Sequence, residues 1–571
     1  MSILNEILYH IDSDSKIYEN EIAYSYKELI ENSENIASIL RNFDEKYVIL
    51  KTTGSFYDIA TILAIWKSGK VYVPVMKDVP NNKLKLIESI IIDCKVVEFN
   101  NKKMFINNRE YSLDKNINTN NLSYADVVNP NAYVIFTSGT TGVPKGVPIS
   151  HSNLEELFNS CKDKFNFDSN DVWINFHALS FDFSIWEIFG PLTNGASLVL
   201  LGDIKNIELD KVSDLVISKK VTVLNQTPSV FSALSEYLLK YKNNSLRYLI
   251  FGGEKLSCKS IETFYSKNKK VKFINMYGIT EVTVHATYHE VSDEDFNNLL
   301  ESNIGLGLQN DNVFLVDENK NKITSGEGEI VVCGSTVSEG YLNKNLKNKI
   351  NSFEEKEGIK RYYSGDIGKY NERNEIIYIG RRDTQIEKNG YRIELGEIKD
   401  AVMNLGIFNR CEVDFYKDQI ICYYKCNSDD MMQANIYDIN KNLLSYIEEY
   451  KLPNKYCLVD EFYTNENGKI DINKLRNNLI VNKEISENVS FKEWVKRKIA
   501  NNVGIDYLNI DENRSFIELG LTSLQMINLH KEIVDNFTIE NEFSVIDLFQ
   551  YKNLTELYGY LKIKEEKILC K

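Results

Sequence analysis

The chain is predicted to fold as a large α/β N-terminal domain, then a smaller α+β subdomain, then a small all-α helical domain. Three observations predict this. Strand-forming and helix-forming runs alternate over roughly the first 380 residues, the pattern that builds a parallel sheet covered by helices. The texture changes after Ile379, where GRRDTQIEKNG is charged and turn-like with a Gly at each end. Finally, Phe491, Trp494, Val495, Ile499 and Val503 recur at helical spacing beyond a polar stretch.

In order along the chain, YVILK from Tyr47 reads as a strand, FYDIATILAIWKSG as a helix and VYVPV as a second strand, the alternation of a right-handed βαβ crossover. VTVLNQ, SVFSALSEYLLKY and RYLIFGG repeat the pattern, and a parallel sheet is expected for most of residues 1–380. A domain boundary is placed at Asp383, so that the large domain covers 1–382 and the subdomain 383–480, with helix-like EIKDAVMNLG and strand-like QIICYYK inside it. VNKEISENVS is a linker over 481–490, and the helical domain covers 491–565.

With 571 residues, 43% hydrophobic and 26% charged, the composition is that of globular protein with a packed core. The net charge of −15 repels phosphate backbones and anionic lipid, which argues against nucleic acid or membrane as partner. Nine scattered cysteines without a Cys-x-x-Cys pair argue against a disulfide framework. Cys422 and Cys426 lie in an apolar run that reads as a buried strand rather than a zinc site. The N-terminus carries no basic start followed by a long apolar stretch, and a cytoplasmic protein is expected.

An acidic protein that handles an anion must do so with local donors. The run YVIFTSGTTGVPKG, 133–146, empties a strand into a loop of Gly and small hydroxyl residues ending in Lys145. Glycine-freed backbone N–H groups, the hydroxyls of Ser138, Thr140 and Thr141, and the Lys145 ammonium can converge on a polyphosphate. Pro144 stands before Lys145, so this is not the GxxxxGK[ST] loop of the P-loop enzymes.

TSGTTGVPKG resembles the signature of adenylate-forming enzymes, the superfamily of acyl-CoA synthetases, luciferases and nonribosomal peptide synthetase adenylation domains. Further motifs follow in that family's order: LSFDFSIWEIFGPL, NMYGITE, GEIVVCGSTVSEGYL, YYSGDIG, GRRDTQIEKNGYRIELGEI and NGKID. YSYKEL and WKSGKVYVPV resemble the two opening motifs, so the likeness covers about 20–480. It implies an ATP-dependent, AMP-forming ligase of the adenylate-forming fold. Glu281 would hold Mg²⁺, Thr280 with the Thr140/Thr141 loop would contact phosphates, and Tyr277 would lie against adenine. Asp366 would accept from the ribose hydroxyls with Arg381 beside it, and Thr137, Ser138, Gly139, Lys145, Gly253, Asn275 and Gly278 complete the nucleotide site. Lys469 resembles the lysine that bridges the substrate carboxylate and the α-phosphate. Asp383 falls where the family has its hinge; at the family's usual Lys and Arg positions after it this chain has Glu387 and Asn389, and Ile279 replaces a proline.

Asp182 matches the position that pairs with the substrate α-ammonium in amino-acid-activating members. Carried over on the motifs, Asp182, Phe183, Trp186, Asn225, Ile250, Gly252, Met276, Val284, His285 and Lys469 resemble the specificity pattern of threonine-activating domains. Asn225 or His285 would bond the β-hydroxyl, and serine is the expected near-cognate substrate because one methyl is worth only about 1–3 kcal/mol. Each motif has a duller reading alone: Ser184 and Glu187 have capping-box spacing, and His285 would be a structural histidine on a strand VTVHAT. In the tail, DENRSFIELGLTSLQMINL resembles the attachment site of peptidyl carrier domains and places 4′-phosphopantetheine on Ser523. Implied partners are a phosphopantetheinyl transferase and downstream condensation or tailoring enzymes acting in trans, with a small helper protein left open. An acyl- or aryl-CoA ligase would have a neutral residue at 182 and no Ser523 domain. An inactive carrier-presenting scaffold finds support only in Glu387 and Asn389.

Overall fold

The computed structural model describes residues 2–100, 102–113, 129–137, 144–202, 208–297, 301–309, 311–343, 352–381, 385–388, 391–408, 410–425, 436–459, 462, 470, 472, 474–476, 491–503, 510–521, 523–536 and 543–561. They form two compact units, with the main division between Glu394 and Leu395.

The first unit holds two large sheets. One is seven-stranded: Tyr47–Thr52, Val71–Met76 and Cys94–Asn100 run parallel at its centre, and the hairpin Asn131–Thr137/Lys145–Ser150 closes one edge. The helix Phe56–Lys67 crosses between the first two strands. It starts because Ser55 and Asp58 cap each other reciprocally, and its nearly all-apolar sequence is buried on every side.

The second sheet has fourteen strands among the described residues. Strands Lys16–Glu19, Ser197–Leu200, Val172–Asn175, Val223–Gln226, Tyr248–Phe251 and Lys272–Asn275 are parallel, as the alternating pattern predicts. From Thr287–Glu290 to the end of the unit the pairing is antiparallel, which corrects the expectation of a parallel sheet to residue 380. The reason is visible in the chain: Val313–Val316, Glu327–Cys333, Ile359–Tyr370 and Ile376–Arg381 come one after another, with no crossover helix among the described residues between them. Helices of the two sheets meet where Trp66 stacks on Phe189, ring centroids 4.8 Å apart, and where the Tyr26 hydroxyl donates to the Ala196 carbonyl at 2.6 Å.

The second unit contains the helix Leu395–Asn404, the hairpin Arg410–Tyr416/Gln419–Lys425 and the parallel strand Lys455–Leu458. Cys422 is on that hairpin; Cys426 lies outside the described residues. Buried Lys451 sits 2.7 Å from Glu397 and 3.1 Å from Glu448, so its charge is compensated. Toward the C-terminus, the helices Phe491–Val503, Ser523–Asn536, Val545–Gln550 and Leu554–Tyr560 close around their own apolar cluster, including Val495, Ile499, Phe516, Leu529, Ile533 and Leu557. No helix among the described residues is long and apolar enough to cross a membrane.

Candidate active site

The first unit has a cleft of about 420 Å³, partly open to solvent, lined by Phe181, Asp182, Phe183, Gly253, Gly278, Ile279, Thr280, Val284, His285 and Glu387. Its floor is the helix Phe183–Asn194. Asp182 stands at the helix N-cap, yet its carboxylate makes no capping bond and lines the cleft instead. The capping box that the spacing of Ser184 and Glu187 would allow is not formed. The Ser184 hydroxyl donates to the Phe181 carbonyl, and Glu187 turns inward, accepting from the backbone N–H groups of Phe176 (3.1 Å) and His177 (2.9 Å) and from Asn175 Nδ2 (2.8 Å). Its other oxygen meets His177 Nδ1 at 2.8 Å, and the His177 ring stacks on Phe183 with centroids 4.5 Å apart. His177 and Glu187 are thus supports of the pocket that sequence reasoning missed; the helical spacing of Glu187 masked a buried carboxylate.

The far wall is a turn. Gly278 is required there: a Cβ would lie 1.9 Å from the Val284 carbonyl oxygen, because the chain doubles back and Ala286 N–H donates to the Tyr277 carbonyl at 2.7 Å. Thr283 and Val284 both have left-handed backbone, φ 66° and 67°, a costly arrangement for two β-branched residues. His285 is therefore not on a strand; the strand begins at Thr287. Its ring stands edge-on to Phe183 and Trp186 at 5.1 and 5.3 Å, and neither ring nitrogen has a hydrogen-bond partner among the described residues. Burial holds its pKa down to about 3, so the ring is neutral at physiological pH. Trp186 Nε1 donates to Asn225 Oδ1 at 3.0 Å, which leaves the buried Asn225 Nδ2 without a partner among the described residues. Ile250 and Met276 are buried in the same core, and Gly252 faces His285, Met276 and Phe183.

A second group gathers on the antiparallel side. Asp366 and Arg381 are directly paired across neighbouring strands, with Arg381 Nη1 donating to Asp366 Oδ1 at 2.8 Å. The Tyr277 hydroxyl donates to Asp366 Oδ2 at 2.6 Å; burial raises the phenol pKa far above its usual value, so it remains a donor. Asn275, by contrast, turns to the strand Ser302–Gly307, its amide donating to the Asn303 carbonyl at 2.6 Å.

In the run 133–146, Thr137 and Lys145 face each other across the antiparallel pair Asn131–Thr137/Lys145–Ser150. Ser138, Gly139, Thr140 and Thr141 lie outside the described residues, as do Asp383, Asn389 and Lys469. Thr137 Oγ1 is buried with no partner among the described residues. Lys145 Nζ lies 3.8 Å from Glu394, and Glu281, fully buried on the short 3₁₀ turn Thr280–Val282, accepts from the Tyr341 hydroxyl at 2.7 Å. Gly253, Gly278 and Thr280 line the cleft beside them. Ser523 is the first residue of the helix Ser523–Asn536.

Residues 10–342 match the family model "AMP-binding enzyme", and 493–561 match "Phosphopantetheine attachment site". A plipastatin synthase polypeptide of Bacillus subtilis (strain 168) is 30% identical over 93% of this chain. The chain spans 21% of the length of that relative and of a dimodular nonribosomal peptide synthase from the same organism. Syringomycin synthase SyrB1 of Pseudomonas syringae pv. syringae is 29% identical over 90% of this chain and 88% of its own length. Among solved structures, a holo nonribosomal peptide synthetase protein containing adenylation and PCP domains superposes with a TM-score of 0.76 at 21% identity, over 97% of this chain and 96% of that one. The adenylation domain AlmE of Vibrio cholerae, solved with glycyl-adenosine-5′-phosphate, gives 0.70 at 19% identity over 84% and 97%. These likenesses show the fold: a large adenylate-forming domain followed by a helical carrier domain.

Proposed function

The chain belongs to the AMP-binding enzyme family, and from that premise we propose that it activates L-threonine as an aminoacyl-AMP and loads it onto a phosphopantetheine arm carried by Ser523. A threonine carboxylate oxygen attacks the α-phosphorus of ATP, the bond to the β-phosphate breaks, and pyrophosphate leaves. The arm's thiol then displaces AMP from the acyl carbon.

The observation that carries the substrate reading is the pocket's polarity. Asp182 at the mouth supplies a carboxylate for the α-ammonium, whereas Asn225 Nδ2 and both nitrogens of His285 lie buried among aromatic rings without partners among the described residues. A β-hydroxyl would satisfy such atoms; valine would leave them unpaired, at about 1–3 kcal/mol. Serine is the second substrate expected, lacking only the methyl.

For the nucleotide, Asp366, anchored by Arg381 and Tyr277, supplies a carboxylate suited to accept from the ribose hydroxyls. Lys145, Thr137 and Thr280, with Ser138, Gly139, Thr140 and Thr141, would meet the phosphates, and Lys469 would bridge substrate and α-phosphate from the subdomain after a hinge at Asp383. Glu281 fits magnesium, since a buried carboxylate held by a hydroxyl suits a hard cation. That ion would neutralise phosphate charge as pyrophosphate departs. Ser523 fits the arm: it heads a 14-residue helix, whose N-terminus favours a phosphodiester.

Amino-acid-dependent pyrophosphate exchange across the twenty amino acids tests the proposal. Threonine should respond most and serine next; no response to any amino acid would refute it. Lys469→Ala should cripple exchange, and Ser523→Ala should abolish loading while exchange continues.

A further inference from the structure

The run GEIVVCGSTVSEGYL has no role in the chemistry above, yet its end, with Asn343, touches both sides of the phosphate site. Ser338 N–H donates to the Glu281 carbonyl at 2.9 Å, and Leu342 N–H to the Gly146 carbonyl at 2.9 Å. Asn343 accepts from Gly146 N–H at 3.1 Å and donates to the Pro144 carbonyl at 3.0 Å, pinning the residues that flank Lys145. Between them, buried Tyr341 directs its hydroxyl to Glu281 Oε1 at 2.7 Å, while Lys145 Nζ lies 5.7 Å from its ring centroid, within cation–π reach. A phenol has one proton. With that proton directed at the carboxylate, the Tyr341 oxygen is left to accept from the Tyr362 hydroxyl, 3.1 Å away, which sets the direction of the Tyr362–Tyr341–Glu281 hydrogen bonds.

We propose that Tyr341 is a positioning residue: its hydroxyl sets the orientation of the Glu281 carboxylate and its ring seats the Lys145 ammonium, so one side chain couples the metal end of the site to the phosphate loop. This rests on the reading of Glu281 as the metal carboxylate and Lys145 as a phosphate ligand. The two halves of the tyrosine separate cleanly. Tyr341→Phe removes the hydroxyl and keeps the ring; Tyr341→Leu removes both.

The test uses the full-length protein and two readouts: the half-saturating Mg²⁺ concentration in pyrophosphate exchange, and Mn²⁺ affinity in the presence of ATP followed by electron paramagnetic resonance. Tyr341→Phe should weaken both by roughly 10-fold or more, as expected for a lost hydrogen bond to a charged group. Metal-free ATP binding, measured by calorimetry in EDTA, should be unchanged in Tyr341→Phe and weakened in Tyr341→Leu, and Lys145→Ala should erase that difference. Glu281→Gln is run alongside. If it leaves the metal dependence unchanged, the reading of Glu281 fails and the inference with it. If Glu281→Gln shifts the metal dependence and Tyr341→Phe does not, the positioning role alone is refuted, whatever the melting temperature does.

Discussion

Gly252→Ala tests the proposed threonine side-chain pocket separately from the rest of the proposed machinery. Gly252 has no left-handed backbone, so alanine brings no conformational strain; what it brings is a methyl whose carbon would stand 3.3 Å from His285 Cε1 and 3.4 Å from Phe183 Cε1 and the Met276 carbonyl. Those neighbours must yield by a few tenths of an ångström, and they are poorly placed to do so: Phe183 is stacked on His177, and His285 follows a strained turn. Overpacking of this kind costs about 1–3 kcal/mol. In the free protein the cleft can absorb part of the shift, but with threonine bound the substrate methyl competes for the same space. The kcat/KM for threonine should therefore fall roughly 10- to 100-fold, while that for serine, one methyl smaller, falls less. The assay is pyrophosphate exchange with each amino acid at saturating ATP, together with the KM for ATP, which should not change. An equal fall for threonine and serine, or none, would refute the placement of Gly252 against the side chain.

Three further outcomes are expected. Glu387→Gln should raise the Kd for the amino acid by about five-fold at most without changing that for ATP, because it removes a half-buried negative charge from the cleft wall; calorimetric titration with each ligand decides it. Arg381→Ala leaves the buried Asp366 carboxylate without its cation and should destabilise the first unit by about 3–5 kcal/mol while raising the KM for ATP more than that for threonine, as read by denaturant unfolding and steady-state kinetics. Burial holds His285 down to about 3 and His151 to about 4. Both folded values lie below the unfolded value near 6.5, so the unfolded chain takes up protons first and stability is lost as pH falls below 6.5. Between pH 7 and pH 5 each should cost about 2 kcal/mol, and His151→Gln should remove its share; an undiminished pH dependence in that variant would show that His151 titrates freely in the fold.

Much of the architecture was legible because its signals are local. The succession YVILK, FYDIATILAIWKSG, VYVPV announces the crossover helix Phe56–Lys67, and VTVLNQ followed by RYLIFGG announces two parallel neighbours, Val223–Gln226 and Tyr248–Phe251. The antiparallel half was not legible. Whether Ile359–Tyr370 pairs with Glu327–Cys333 or lies in a parallel sheet depends on partners distant in the chain, and period-two alternation alone does not choose between them. Glu187 failed for a related reason: an i, i+3 spacing from Ser184 records who could meet on a helix surface, whereas here the helix is buried on all sides and the carboxylate found backbone donors at Phe176 and His177 instead.

The candidate site divides along the same line. Motif positions marked Asp182, Glu281 and Asp366, but a motif does not state what holds each carboxylate, and in the fold the supports come from different parts of the chain. Asp366 is held by a cross-strand arginine and a phenol, Glu281 by a phenol from a distant segment, and the Asp182 region from beneath by the stacked pair His177 and Phe183. Such supports act only through packing that brings together residues far apart in sequence, as with Glu281 and Tyr341. This separation has a consequence for substitution: an exchange at a support that serves one ligand, as Tyr341 does not, should loosen that ligand's recognition and spare the others. Exchange of His177 for Phe, which keeps the stack but removes the bond to Glu187, should raise the KM for threonine and leave those for ATP and Mg²⁺ unchanged. Parallel losses for all three ligands in steady-state kinetics would mean that the supports form one cooperative network rather than separate ones.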